Sequence, residues 1–121
     1  MLYEKDSVSR EIEEMIRVIG DVFLGKKNTE YEVVEDEAHK SCNALYYRID
    51  KAFQEGKINE AENILFEEIS VENPSYLEIA IDFYTKANQK TEEELRQMQF
   101  SKEEIVEGMK DIMDMFGIQM I

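Results

Sequence analysis

His39 stands three residues before Cys42, and Glu35 and Asp36 lie just upstream. On a continuous helix the imidazole and the thiolate face the same side, and both are good zinc ligands. Two ligands are too few for such an ion unless Glu35 or Asp36 joins them. A small-molecule or metal-binding module around Glu35, His39 and Cys42 is therefore the alternative reading. A nucleophilic Cys42 needs positive charge to stabilise its thiolate. Lys40 is close, but acidic residues outnumber basic ones around it. The expectation is a buried or half-buried structural cysteine, no metal and no cofactor.

Carboxylates are abundant, and Asp50, Asp82, Asp111 and Asp114 all fall on predicted helices. Paired carboxylates do acid–base work when burial or proximity separates their pKa values; these four read as a solvated acidic face. No glycine-rich phosphate loop, serine nucleophile elbow or His-Glu-x-x-His stretch is present. The chain is expected to be non-catalytic. Tyrosine offers more: Tyr46 and Tyr47 on one helix, and Tyr76 and Tyr84 on a later one, either line a groove or pack at the core edge with their hydroxyls in water. A tyrosine has a rigid apolar body and a polar tip, which suits partner recognition. Of seven methionines, Met109, Met113, Met115 and Met120 crowd the C-terminus, and methionine adapts to irregular interfaces.

The chain has 121 residues, 28 acidic against 14 basic, for a net charge of −14. One helical domain spanning 1–121 is expected. No basic stripe breaks the acidic excess, so a phosphate backbone or an anionic membrane surface is repelled. Nucleic acid and membrane are excluded as partners on that ground, and a basic protein or peptide is preferred. The start, "MLYEKDSVSREIEE", is too charged for a signal peptide. With "ALYY" as the longest apolar run and a lone cysteine, the cytoplasm is the expected location.

Helices must position these residues. Val8, Ile12, Met15, Ile16, Ile19 and Phe23 recur at helical spacing, with Asp6 or Ser7 as cap and Gly25 as stop. Residues 25–40, "GKKNTEYEVVEDEAHK", form a connector in which "YEVV" is briefly extended. A helix capped by Ser41 runs to about Glu55, ended by Gly56. Another opens at Asn59, with Glu62 as its capping partner, and ends near Ser70. Asn73 and Pro74 make a turn before a helix over 75–88 that is apolar nearly all round. Thr91 with Glu94, and Ser101 with Glu104, start two more. The spacing predicts an all-α fold of five or six helices.

Residues 42–74 are similar to a tetratricopeptide-type helical hairpin. Gly56, Ala61 and Pro74 stand at the marks of that repeat, proline one position late, whereas Ile49 and Glu68 replace small residues. This resemblance implies that Asn43, Tyr46 and Asp50 face the concave, partner-binding side. Over its whole length the chain resembles a family of small all-helical bacterial proteins of unassigned function, on "EGKINEAENILFEEI", "YLEIAIDFY" and "FSKEEIVEGMKDI".

The expected function is a non-catalytic protein or peptide interaction module. Asn43, Tyr46, Tyr47, Asp50 and Tyr84 are the partner-binding candidates. A homodimer is also expected, because Val18 and Val22 exceed the core stripe of the first helix and Met115, Met120 and Ile121 need cover.

Overall fold

The computed structural model describes residues 7–25 and 29–119. The fold is all-α, with six α-helices and no strand among the described residues. They are α1 (Ser7–Val18), α2 (Lys40–Gln54), α3 (Ile58–Glu68), α4 (Pro74–Asn88), α5 (Glu92–Gln97) and α6 (Lys102–Met115). A π-helical stretch, Ile19–Leu24, prolongs α1, and a 3₁₀ turn, Glu37–His39, precedes α2. Asp6, an expected cap, and Met120 and Ile121 of the apolar tail lie outside the described residues.

Helix α4 is the hub, packing against α1, α2 and α6, while α2 packs most extensively on α3. Its sequence explains the position: Leu77, Ile79, Ala80, Ile81, Phe83, Tyr84 and Ala87 are buried, so only a narrow strip through Glu78, Asp82 and Lys86 is left polar. Asn73 caps it by accepting from the Ser75 amide at 3.0 Å, and Pro74 supplies the fixed φ of a first turn. Facing it, α1 contributes Ile12, Met15 and Ile16, and α6 contributes Ile105, Met109 and Ile112.

Three helices end alike. After α2 the Gly56 amide donates to Phe53 O and the Lys57 amide to Ala52 O, both at 2.9 Å, with Gly56 at φ +78°. The same pair of bonds closes α6 through Gly117 and Ile118, and α5 through Gln99 and Phe100. This ending requires a left-handed residue, usually glycine; at the end of α5 the chain places Gln99 there instead, at φ +59°. Ile118 thereby returns to the core, which covers part of the apolar C-terminal tail.

Two expected caps are reassigned. Ser41 does not cap α2; Asp36 caps the preceding 3₁₀ turn by accepting from the His39 amide at 2.9 Å. Asn59 does not cap α3 either. Its amide reaches across to the Gln99 carbonyl at 2.9 Å, and Glu62 is turned toward α4. For Asn59 a long-range bond outcompetes the local one, whereas α2 simply continues the 3₁₀ turn that Asp36 has already capped. Thr91 and Glu94 do form the reciprocal capping box of α5.

Candidate functional site

Between α2 and α4 lies a shallow depression of about 210 Å³, much of it open to solvent. Ile49, Phe53, Ile79 and Phe83 form its apolar floor, and Tyr46, Asp50, Asp82 and Lys86 bring polar atoms to it. Lys86 is the centre. Its Nζ stands 2.9 Å from Asp82 Oδ1, 3.4 Å from Asp50 Oδ1 and 3.1 Å from the Tyr46 hydroxyl. The ammonium also lies 5.0 Å from the centroid of the Tyr46 ring, a distance at which the ring face attracts a cation. Partial burial works against the charge of Lys86. Its bonds to Asp82 and Tyr46 outweigh that and hold its pKa above the ordinary lysine value.

Asp82 is only 4% exposed, which corrects its reading as part of a solvated acidic face. A carboxylate buried that deeply requires partners. Lys86 supplies one, four residues along the same helix, and the main-chain amide of Tyr31 donates to the other oxygen at 2.8 Å. The connector thus enters the site. Tyr31 is buried, its ring 4.9 Å from that of Tyr46, and its hydroxyl donates to Asn43 Oδ1 at 2.7 Å. Asn43 in turn donates to the Val34 carbonyl at 2.9 Å. Burial, with smaller effects from Cys42 and Glu78, pushes the Tyr31 phenol up to about 12, so it stays a neutral donor at physiological pH.

Of the expected partner-binding residues, Asn43, Tyr46 and Asp50 are brought together on the α2 side of this groove. Asn43 is buried and committed to Tyr31 and Val34, and Tyr46 and Asp50 are half-buried. Tyr47 extends the aromatic row outward, 5.7 Å from Tyr46 and 54% exposed. Tyr84 does not belong to the groove and is corrected here: it is fully buried and points elsewhere. Its hydroxyl donates to Glu62 on α3 at 2.5 Å. Tyr31, Asp82 and Lys86 were missed by the sequence reading. The available signal was the Asp82 and Lys86 pair, an acid and a base four apart inside an otherwise apolar helix.

The second polar cluster, at Glu62 and Tyr84, is closed by α6. A Cβ at Gly108 would collide with the Tyr84 hydroxyl and lie 2.6 Å from Glu62 Oε2. Burial raises the Glu62 pKa, and Glu104, Asp111 and Glu107 raise it further against the opposing Tyr84 bond. Tyr84 is raised by its own burial and by the Glu62 charge.

The residues weighed for metal chemistry are dispersed in role. His39 Nδ1 pairs with Asp36 Oδ1 at 2.6 Å, while Cys42 is buried with Asn73 donating to its sulfur at 3.5 Å. Burial raises the Cys42 pKa, so the neutral thiol is favoured. Among the described residues no three His, Cys, Asp or Glu side chains are grouped to hold a metal. None of the described helices is long and apolar enough to cross a membrane.

Fold and site together define a small all-α protein with an ionic and aromatic groove at its surface. Within that class the chain belongs to DUF6483, a family of unknown function, which matches residues 2–117. No curated protein and no solved structure matches it.

Proposed function

We propose that this protein is a non-catalytic helical interaction module that docks a protein or peptide partner on the groove between α2 and α4. The observation that carries this reading is the aromatic row Tyr31, Tyr46 and Tyr47, which runs from the interior, past Lys86 over the Tyr46 ring, to the solvent-exposed ring of Tyr47. Rigid aromatic surface flanked by a partly desolvated ion pair is the composition of an interface hot spot. The α2–α3 pair supports a tetratricopeptide-like hairpin: Gly56 makes its left-handed turn and Ala61 is fully buried where the two helices pack. We place the protein in the cytoplasm of a bacterial cell, without nucleic acid or membrane as partner, and expect self-association beside the main interaction.

Net charge favours a basic partner for the encounter as a whole, chiefly over α3, whose charged residues Glu60, Glu62, Glu67 and Glu68 are all acidic. The small-molecule alternative has less support. Ligand pockets usually enclose roughly 300–1,000 Å³, whereas this depression is open and has enclosed room for no more than about one water molecule.

The test is affinity purification from the native host with the wild-type chain and with Tyr47→Ser as baits. A partner held by the wild type and lost by the variant is expected. Identical partner sets with both baits would remove the groove from the interaction. A stoichiometric small molecule retained on the purified chain, with no protein partner, would favour the alternative.

A further inference from the structure

Beside the open depression, the face between α2 and α4 is already partly covered by the chain itself. Residues 29–36, "TEYEVVED", form no helix or strand and lie across α2 and α4. Two of their contacts fasten main chain: the Tyr31 amide donates to Asp82 Oδ2 at 2.8 Å, and the Val34 carbonyl accepts from Asn43 Nδ2 at 2.9 Å. A third seats one side chain, with Tyr31 stacked on Tyr46 and its hydroxyl on Asn43. Thr29 meets Thr85 on α4 at 3.2 Å.

This set of contacts has the chemistry of peptide recognition. Main-chain bonds hold a segment whatever its sequence, and a slot for one side chain adds selectivity. Within the segment Tyr31 alone is fully buried, whereas Glu30, Glu32, Val34, Glu35 and Asp36 are exposed. Anchorage through buried Tyr31 and half-buried Val33, without the continuous hydrogen-bond ladder of a helix, places the segment among the parts of a fold that open locally.

We propose that residues 29–36 are a built-in occupant of a peptide-binding groove. Its external ligand is an extended segment of a partner protein that presents a tyrosine to Tyr46 and Asn43 and displaces the chain's own Tyr31. The proposal rests on the reading of the α2–α4 face as a docking site and deepens it. Selectivity for this strap, residues 29–36, comes from the tyrosine slot rather than from charge: the charged groups at the groove, Asp50 and Asp82 against Lys86, are already paired with one another.

The probe is a labelled synthetic peptide of residues 29–36, followed by fluorescence anisotropy with the full chain at physiological salt. The strap competes in the wild type, so Tyr31→Ala, which vacates the slot, should bind the peptide about ten-fold tighter or more. Adding Asn43→Ala should erase that gain, and a peptide with alanine in place of its tyrosine should not bind. Equal affinity of wild type and Tyr31→Ala overturns the proposal. Where circular dichroism shows Tyr31→Ala unfolded, amide exchange on the wild type decides. The Tyr31 amide should exchange at least about ten-fold faster than those of Ile49 and Phe83; equal rates mean that the strap leaves only when the molecule unfolds, and overturn it. A strap that exchanges between two copies, seen as dimers that exclude the peptide, also overturns it. Failure here with partner capture still dependent on Tyr47 removes the strap and leaves the docking face standing.

Discussion

Tyr84 and Glu62 are joined by a 2.5 Å hydrogen bond that exists only because position 108 has no side chain. Gly108 lies in the middle of α6, where glycine costs about 1 kcal/mol relative to alanine. The gain is room for a phenol that belongs to another helix. Gly108→Ala should therefore destabilise the protein, by roughly 1–3 kcal/mol from overpacking, although it improves helix propensity. Thermal melts of Gly108→Ala and of Gly108→Ala with Tyr84→Phe check this; the second change removes the hydroxyl and should recover part of the loss. A single variant more stable than the wild type would refute the steric argument.

Glu62 makes this junction sensitive to pH. Its pKa in the fold is raised, first by burial and then by Glu104, Asp111 and Glu107, so ionisation opposes folding. That penalty is fully present above the raised pKa and disappears as pH falls to the ordinary value near 4.5. Glu62→Gln should stabilise the protein at pH 7 to 8 and make little difference at the acidic end. Urea melts of both proteins across this range give the difference directly, which cancels carboxylates such as Asp36 and Glu94, whose pKa values are lowered. A constant difference between the two proteins would exclude this origin.

Removing Lys86 should hurt more than removing its pair. Lys86→Met leaves Asp82 charged at 4% exposure, and stranding a buried charge costs about 3–5 kcal/mol. Lys86→Met with Asp82→Asn should be the more stable of the two variants, because the Tyr31 amide keeps an acceptor. Chemical denaturation of both single variants and the double variant yields the coupling. An additive cycle would show that the 2.9 Å contact contributes nothing.

Most of the helices were legible because their signals are local. Asn73 and Pro74, the Thr91–Glu94 box and the all-round apolar pattern of α4 act within a turn or two of chain. The groove was half legible. Asn43, Tyr46 and Asp50 share one side of one helix, and the resemblance to a tetratricopeptide unit groups them. Tyr31 and Asp82 could not be joined in the same way, since their bond spans 51 residues, and no periodicity encodes that distance. Tyr84 failed for the opposite reason. Spacing puts it on the helix that borders the groove, but whether its hydroxyl meets water or Glu62 depends on a glycine of α6. Asn59 has the chemistry of a cap and spends it on Gln99, 40 residues away.

Gln99 holds a glycine's conformation with a side chain, at φ +59°. A non-glycine residue there costs about 1–2 kcal/mol, against about 0.5–1 kcal/mol for the greater freedom of glycine in the unfolded chain. Gln99→Gly should raise stability by roughly 0.5–1 kcal/mol, and the bond from Asn59 survives because it uses the Gln99 carbonyl. Differential scanning calorimetry would check it; a lower melting temperature would mean that the glutamine side chain matters more than its backbone.

Association should respond to salt. Val22 is 67% exposed and Met115 39%, and apolar surface left in water favours pairing at about 25 cal/mol per Å². The charge of −14 opposes it. Light scattering at tens of micromolar should find dimers, more of them at moderate ionic strength than at low, because salt screens the repulsion. Dimers that weaken with salt would rule out an apolar interface, and a monomer at both strengths would rule out the dimer.

Asn88, at the end of α4, ties the two halves of the chain together. The Lys102 ammonium donates to both its oxygens, at 2.6 and 2.9 Å, while its own amide reaches the Ser9 carbonyl, 79 residues away. This knot sets an order of events on the ribosome. The α2–α3 hairpin has its partners close in sequence and can close as soon as it emerges. Helix α1 emerges before its polar anchor and before both its neighbours, α4 and α6. Its apolar stripe, Ile12, Met15, Ile16 and Ile19, stays uncovered until they follow. A helix made ahead of the elements that house it is exposed in that interval, when a nascent chain of this protein most needs a chaperone.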